Sequence, residues 1–307
     1  PDIRFHGFGA KTMKSNVGAS QLTETTQTET AGVEKNSASE WREYGLFLLK
    51  LAAIVLIFRS FIFAPFNIPS ESMHPRLLIG DYLLVSKWPY GISRYSFPLS
   101  PPLFEGRIFG SLPERGDVVV VHAPGDANVD YIKRVIGLPG DVVQMRAGTL
   151  EINGKPVKKV RVDDFVTPVT QGMRDAAALE GTEFPCWKPQ YEEPAKGGGT
   201  QCRYPQYRET LPEGKSYLSL DIEPYQKGDD TEAKMVPEGQ LLLMGDNRDR
   251  SADSRYPADG VWIGLVPTEN LVGRAQFVVF STDGSARWLL PWTWFSAARW
   301  DRIGEGF

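Results

Sequence analysis

From Tyr44 to Phe66 the chain reads YGLFLLKLAAIVLIFRSFIFAPF, its one apolar stretch able to enter a membrane. As a helix it is long enough to cross the roughly 30 Å hydrocarbon core of a bilayer. Lys50 and Arg59 interrupt it. Each costs about 3 kcal/mol at the bilayer centre, and less near an interface where a long side chain snorkels. Their spacing puts them on opposite faces of a helix, so the single polar stripe of an interfacial amphipathic helix is absent. A crossing helix over 44–66 is therefore the expectation. A cleaved secretory signal would start nearer the N-terminus than this run does. Flanking charge does not orient the span, because Lys35 and Arg42 before it are matched by Arg76 and Lys87 after it.

Residues 1–43 are rich in Ser, Thr, Glu and Gly and have no apolar period, the composition of a flexible polar tail. Met13-Lys14 within it reads as an alternative start. Beyond the span the pattern turns to β. Short β-branched or aromatic runs at Asp81 to Ser86, Asp117 to His122, Tyr131 to Ile136, Asp141 to Met145, Thr149 to Ile152, Leu241 to Met244 and Val272 to Phe280 are bounded by Gly, Pro and Asp. Asn153-Gly154 reads as a tight hairpin turn. Residues 160–235 are Pro-, Gly- and charge-rich, with a weak strand signal at Tyr217 to Ile222 alone, and read as an insertion or cap subdomain. They divide the β region into 67–159 and 236–280. The last stretch, 281–307, contains the aromatic run Trp288 to Phe295, which suits either a membrane interface or packing on the β domain.

The 34 Lys and Arg against 38 Asp and Glu leave no positive excess to hold nucleic acid. Cys186 and Cys202, the two cysteines, can form one bridge in an oxidising compartment or remain independent thiols. They lack the further His or Cys that zinc requires. Asp246, Asp249 and Asp253 do not follow the alternate-residue spacing of a calcium loop.

Ser72 lies a few residues past the apolar span, in Ile68-Pro69-Ser70-Glu71-Ser72-Met73-His74-Pro75. A serine hydroxyl is a poor nucleophile until a base removes its proton, and histidine is the usual base. Histidine is scarce here: His6 is in the tail, His74 is two residues from the serine and His122 ends a strand. Lysine can serve when burial among apolar groups favours its neutral form. Alternation along Tyr131-Ile132-Lys133-Arg134-Val135 puts Lys133 on the face of Tyr131 and Val135. On pattern alone, Lys133 and Arg134 read more readily as two solvated charges on an edge strand.

Four collinear blocks change that balance. Pro69 to Pro75 with Leu77-Leu78-Ile79-Gly80-Asp81, Arg115-Gly116-Asp117-Val118-Val119-Val120, Tyr131 to Asp141, and Gly245-Asp246-Asn247-Arg248-Asp249 through Ser251-Ala252-Asp253-Ser254-Arg255-Tyr256 resemble the signatures of the bacterial type I signal peptidases. The resemblance implies a mainly β fold: an antiparallel β-sheet catalytic domain with a cap subdomain, behind one transmembrane helix. It implies Ser72 as nucleophile and Lys133 as general base. Ser70 would donate to the oxyanion, Ser251 would orient the lysine, and Asp253 and Arg255 would brace the site. Shallow pockets for small side chains would involve Phe66, Ile68, Pro69, Met73, Leu77, Leu83, Tyr131 and Ile132, with plain hydrophobic core as the other reading of these residues. No metal or organic cofactor is implied. The implied partners are preproteins bearing signal peptides, the lipid bilayer and the secretion translocon. The implied place is the bacterial inner membrane, crossed once, with the tail cytoplasmic and the catalytic domain periplasmic.

Glu71 stands where the family often has a small residue, and Arg76 replaces a commonly small hydroxyl residue. Arg248, Asp249 and Arg250 read as a self-neutralised surface loop. The alternatives are a Ser/Lys processing peptidase with a narrower clientele, a membrane-tethered Ser/His/Asp hydrolase using His74 or His122, and a non-catalytic β-rich partner of the secretion apparatus.

Overall fold

A computed structural model of the chain describes residues 37–124, 126–258, 262–287 and 289–307. Of the tail expected over residues 1–43, residues 1–36, with Met13 and His6, lie outside these, as does Trp288, and residues 37–43 are corrected from tail to helix. Helix α1 spans Ser37–Phe61, and its portion Glu40–Phe61 is long and apolar enough to cross a membrane. The expected end at Phe66 is corrected: Phe63–Asn67 is strand β1. Pro65 explains the change. Proline cannot continue a helix, but its missing N–H is harmless in the edge strand that β1 forms.

Fourteen further strands follow β1. In chain order they are β2 (Asp81–Ser86), β3 (Val118–Ala123), β4 (Asp126–Gly137), β5 (Val142–Arg146), β6 (Thr149–Ile152), β7 (Lys155–Pro156), β8 (Lys158–Pro168), β9 (Glu192–Pro194), β10 (Thr200–Thr210), β11 (Ser216–Leu220), β12 (Lys234–Met235), β13 (Gln240–Met244), β14 (Val266–Pro267) and β15 (Leu271–Ser281). The main sheet runs β1-β2-β15-β3-β4-β13-β14, with every neighbouring pair antiparallel. All seven strands expected from the sequence are present, each within a few residues of its expected ends.

The run Val118-Val119-Val120-Val121 on β3 shows why this sheet is stable. Successive side chains alternate between faces, and both faces are covered. Val118 and Val120 join Ile68, Met73, Leu77, Leu83, Val85 and Val278 on one side. Val119 and Val121 join Val135, Leu241, Leu243, Val266 and Leu271 on the other. Strand β4 lies between β3 and β13, so Lys133 and Arg134 are not edge charges. Both are buried.

Strands β12-β5-β6-β7 form a small sheet. Its β6–β7 hairpin turns at Asn153 and Gly154, whose φ values of 53° and 73° are those a tight two-residue turn requires. The insertion carries more strand than its sequence shows. β8 and β10 pair over most of their length, flanked by β11 and β9, with helix α2 (Gln171–Leu179) in the connection. β8 reads KKVRVDDFVTP and is mostly exposed or half-exposed, so burial never imposed a clean hydrophobic alternation on it. Pro205 interrupts β10 at its register shift, where a missing N–H is tolerated. A disulfide joins Cys186 and Cys202 in the core of this unit, beside Tyr204 and Leu220.

The C-terminal stretch returns to the β domain. Val278 and Gly304 exchange backbone bonds with Glu305 and Val278 at 3.0 and 2.8 Å. The buried Asp81 carboxylate receives Arg302 at 2.7 Å and Arg299 at 3.3 Å. Arg76 pairs with Glu305 at 3.0 Å and faces the Phe307 ring. In the short helix α3 (Trp292–Ala297), Trp292 and Phe295 remain exposed.

Candidate active site

Ser72 sits in the tight turn after β1, where the backbone N–H of His74 bonds the Glu71 carbonyl at 3.0 Å. The loop after β13 grips the same turn through Asn247, whose N–H donates to the Ser72 carbonyl at 3.1 Å. Lys133 reaches Ser72 from the middle of β4. Its Nζ lies 2.8 Å from Ser72 Oγ and 3.2 Å from the Ile132 carbonyl. Burial pulls the amine down to about 8; Asp253 and Asp246 oppose this and Arg255 assists it. Lys133 also faces the Tyr131 ring at 5.4 Å. The exposed Ser70 places its Oγ 3.4 Å from that of Ser72.

Ser251 lies beside the nucleophile turn. Lys133 bonds Ser72 and the Ile132 carbonyl, and Ser251 is not among its hydrogen-bond partners. Ser251 is instead packed against Gly245, where an added Cβ would stand 2.3 Å from Ser251 Oγ and 2.5 Å from the Ser72 carbonyl oxygen. The absence of a side chain at Gly245 is what lets the two loops meet. Asp253 and Arg255 do form a brace: Arg255 Nε bonds Asp253 Oδ1 at 2.9 Å, and Asp253 Oδ2 accepts the Gly245 N–H at 3.1 Å. Burial works to raise the Asp253 carboxyl, but Arg255, the Gly245 N–H and Ser251 outweigh it and hold it below the ordinary value.

The pocket residues divide. Ile68, Met73, Leu77 and Leu83 are core, and Leu77 and Leu83 have no exposed surface. Phe66 and Ile132 pack on that cluster and stay partly exposed, and Pro69 is exposed. Tyr131 belongs to the cluster on the other face of the sheet, because it is one residue out of phase with Ile132.

Neither histidine bonds Ser72. Burial pulls His74 down to about 3, so it is neutral, and its ring packs on Phe165. His122 is taken up elsewhere, with Nε2 at 3.2 Å from Ser100 Oγ and Nδ1 at 2.8 Å from Asp130.

The reading of Arg248, Asp249 and Arg250 as a surface loop is corrected. Arg248 is buried and bonds Glu209 of β10 with two contacts of 2.7 Å. Asp249 accepts the N–H groups of Ile222 and Glu223 at 2.6 and 3.0 Å. Arg134 makes a similar fork to Asp246 at 2.7 and 2.6 Å. Sequence reasoning missed these pairs, because their partners lie far away along the chain. Asp221, Asp229 and Asp249 bring carboxylate oxygens within 4.8 Å of one another. Asp221 is held by Lys159, Asp229 by the Gln226 N–H and Asp249 by two N–H groups, so each already has a partner.

The family model for signal peptidase, peptidase S26, matches residues 41–280. Signal peptidase I of Rickettsia conorii is 35% identical over 260 residues, covering 82% of this chain and 83% of that protein. Signal peptidase I of Rickettsia canadensis is 36% identical over 256 residues, covering 81% and 82%. The chain belongs to the signal peptidase family S26. A solved signal peptidase I from Enterococcus faecalis V583 is 24% identical, with a TM-score of 0.26, and the match covers 53% of this chain and 97% of that one. Family membership makes this protein a serine peptidase of signal-peptide processing, and α1 gives it one helix suited to a membrane.

Proposed function

We propose that this signal peptidase is a membrane-bound endopeptidase that cuts preproteins after small residues at A-x-A-like sites, with Ser72 as nucleophile and neutral Lys133 as base. The 2.8 Å approach of Lys133 Nζ to Ser72 Oγ carries this reading, together with burial that favours the neutral amine. Ser72 Oγ attacks the scissile carbonyl while Lys133 takes its proton. The Ser70 hydroxyl and the Ser72 N–H stabilise the oxyanion. Collapse of the tetrahedral intermediate breaks the C–N bond, and the Lys133 ammonium protonates the departing amine of the mature protein. Lys133 then deprotonates a water that attacks the acyl-enzyme, and the signal peptide leaves with a free carboxylate.

The partly exposed Phe66, Pro69 and Ile132 form the substrate-facing wall, and Ile68 and Met73 back it. Limited room there rejects bulky side chains sterically. The bilayer is the bacterial inner membrane, with the tail cytoplasmic and the catalytic domain periplasmic. Placement beside the bilayer brings Ser72 to substrates whose own apolar segment is in the membrane. The translocon supplies those substrates.

The test is cleavage of a model preprotein in detergent by the unaltered protein, Ser72→Ala and Lys133→Ala. Cutting after the A-x-A site by either folded variant at the original rate would sink the dyad. Protease-protection of the domain in inverted membrane vesicles checks the orientation.

A further inference from the structure

Glu71 stands between the two serines of the nucleophile turn, yet its carboxylate is buried, with the residue only 7% exposed. A buried carboxylate needs a charged or hydrogen-bonding partner. Its partner is Arg250, from the loop that also carries Ser251: Arg250 Nε lies 3.1 Å from Glu71 Oε2. Beyond this ion pair the guanidinium hydrogen-bonds Glu180 at the end of α2 and stacks 5.1 Å over the Trp187 ring. Trp187 adjoins the bridged Cys186, and its backbone N–H donates to the Tyr204 hydroxyl at 2.9 Å. One side chain thus joins the nucleophile turn, the signature loop and the disulfide-closed loop of the insertion.

We propose that Arg250 is a positioning residue for the peptidase reaction: by holding the Glu71 carboxylate in place it fixes the turn that carries Ser70 and Ser72, with the insertion as its support. The inference rests on Ser72 being the nucleophile. The physical argument is one of unpaired charge. Without Arg250 an ionised Glu71 would swing toward water, and the Ser70–Ser72 backbone would be drawn with it. Among the described residues, the charges acting on Glu71 are those of Arg250 and Glu180, and the Tyr204 hydroxyl senses Glu71 in turn; Arg250 is the one cation of this group. Burial pushes Glu71 up to about 7 even with Arg250 present, and loss of the guanidinium would raise it further. At alkaline pH, where a lysine base works best, Glu71 would then ionise unpaired.

The test uses the full chain in detergent and measures preprotein cleavage across pH. Arg250→Ala is expected to lower kcat at least about tenfold with KM changed less than about threefold, and Arg250→Lys to retain most of the rate. The alkaline limb of Arg250→Ala should turn downward where that of the unaltered protein stays level. Adding Glu71→Gln to Arg250→Ala removes the charge, so the double variant should lose that downturn and recover to within about threefold of the original rate. An unchanged rate and profile in Arg250→Ala overturns the proposal, as does a double variant no better than Arg250→Ala. Should Arg250→Ala not fold, the double variant must still fold and cleave, and its failure counts against the proposal. Ser72→Ala, run alongside, separates the outcomes: if it stays active the nucleophile assignment fails, whereas an inactive Ser72→Ala beside an unaffected Arg250→Ala refutes the positioning role alone.

Discussion

Lys133 Nζ lies 2.8 Å from Ser72 Oγ across a separation of 61 residues, and both side chains are almost fully buried. Two polar groups in such a place bond each other because neither has water to turn to. A serine proton can leave along that contact if the amine is neutral. Lys133→Arg is therefore expected to be as inactive as Lys133→Ala, with kcat down by about 10⁴ or more, because a guanidinium does not deprotonate in proteins. Single-turnover cleavage of a preprotein measures this, and appreciable activity in Lys133→Arg would remove the lysine from the proton's path.

The pH profile follows from the same burial. Lys133 is pulled down from 10.5 to about 8, and in the proposed reaction its unprotonated form is the base, so the rate is expected to rise with pH through about 8 and to level above it. A profile flat from pH 6 to 10, read as kcat/KM, would contradict this assignment, since protonation would then cost the reaction nothing.

Gly245→Ala should harm both the site and the fold. The new methyl group would lie 2.5 Å from the Ser72 carbonyl oxygen, a backbone atom that cannot step aside alone. A loss of about 1–3 kcal/mol in stability is expected, with a fall in kcat larger than any rise in KM. Chemical denaturation and steady-state kinetics on one preparation decide it.

Glu209→Ala tests the buried fork that ties β10 to the signature loop. It strands the Arg248 guanidinium inside the protein, where removal of one partner of a buried pair costs about 3–5 kcal/mol. Replacing Glu209 and Arg248 together with apolar residues should recover a large part of that loss. Equilibrium unfolding of the single and double variants compares the two.

The sequence by itself determined the apolar helix, the run of short strands, the Asn153-Gly154 turn and the pairing of Ser72 with Lys133 through a family resemblance. These are legible because local periodicity and turn chemistry depend on near neighbours, and motifs keep their residues in order. The end of the helix at Phe61 and the strands of the insertion were less legible. There, edge pairing and half-exposed sheet faces overrode the local pattern.

Only the tertiary structure decided which charges are buried. Arg134 with Asp246, Arg248 with Glu209 and Glu71 with Arg250 look like ordinary surface charge in the sequence, and each becomes a buried contact through long-range packing. The same packing set Ser251 against Gly245 beside the Ser72 carbonyl, and divided Tyr131 from Ile132. The physical reason is common to all of them. Desolvation and close approach arise from atoms brought together by the whole fold, and a residue's neighbours along the chain do not report them.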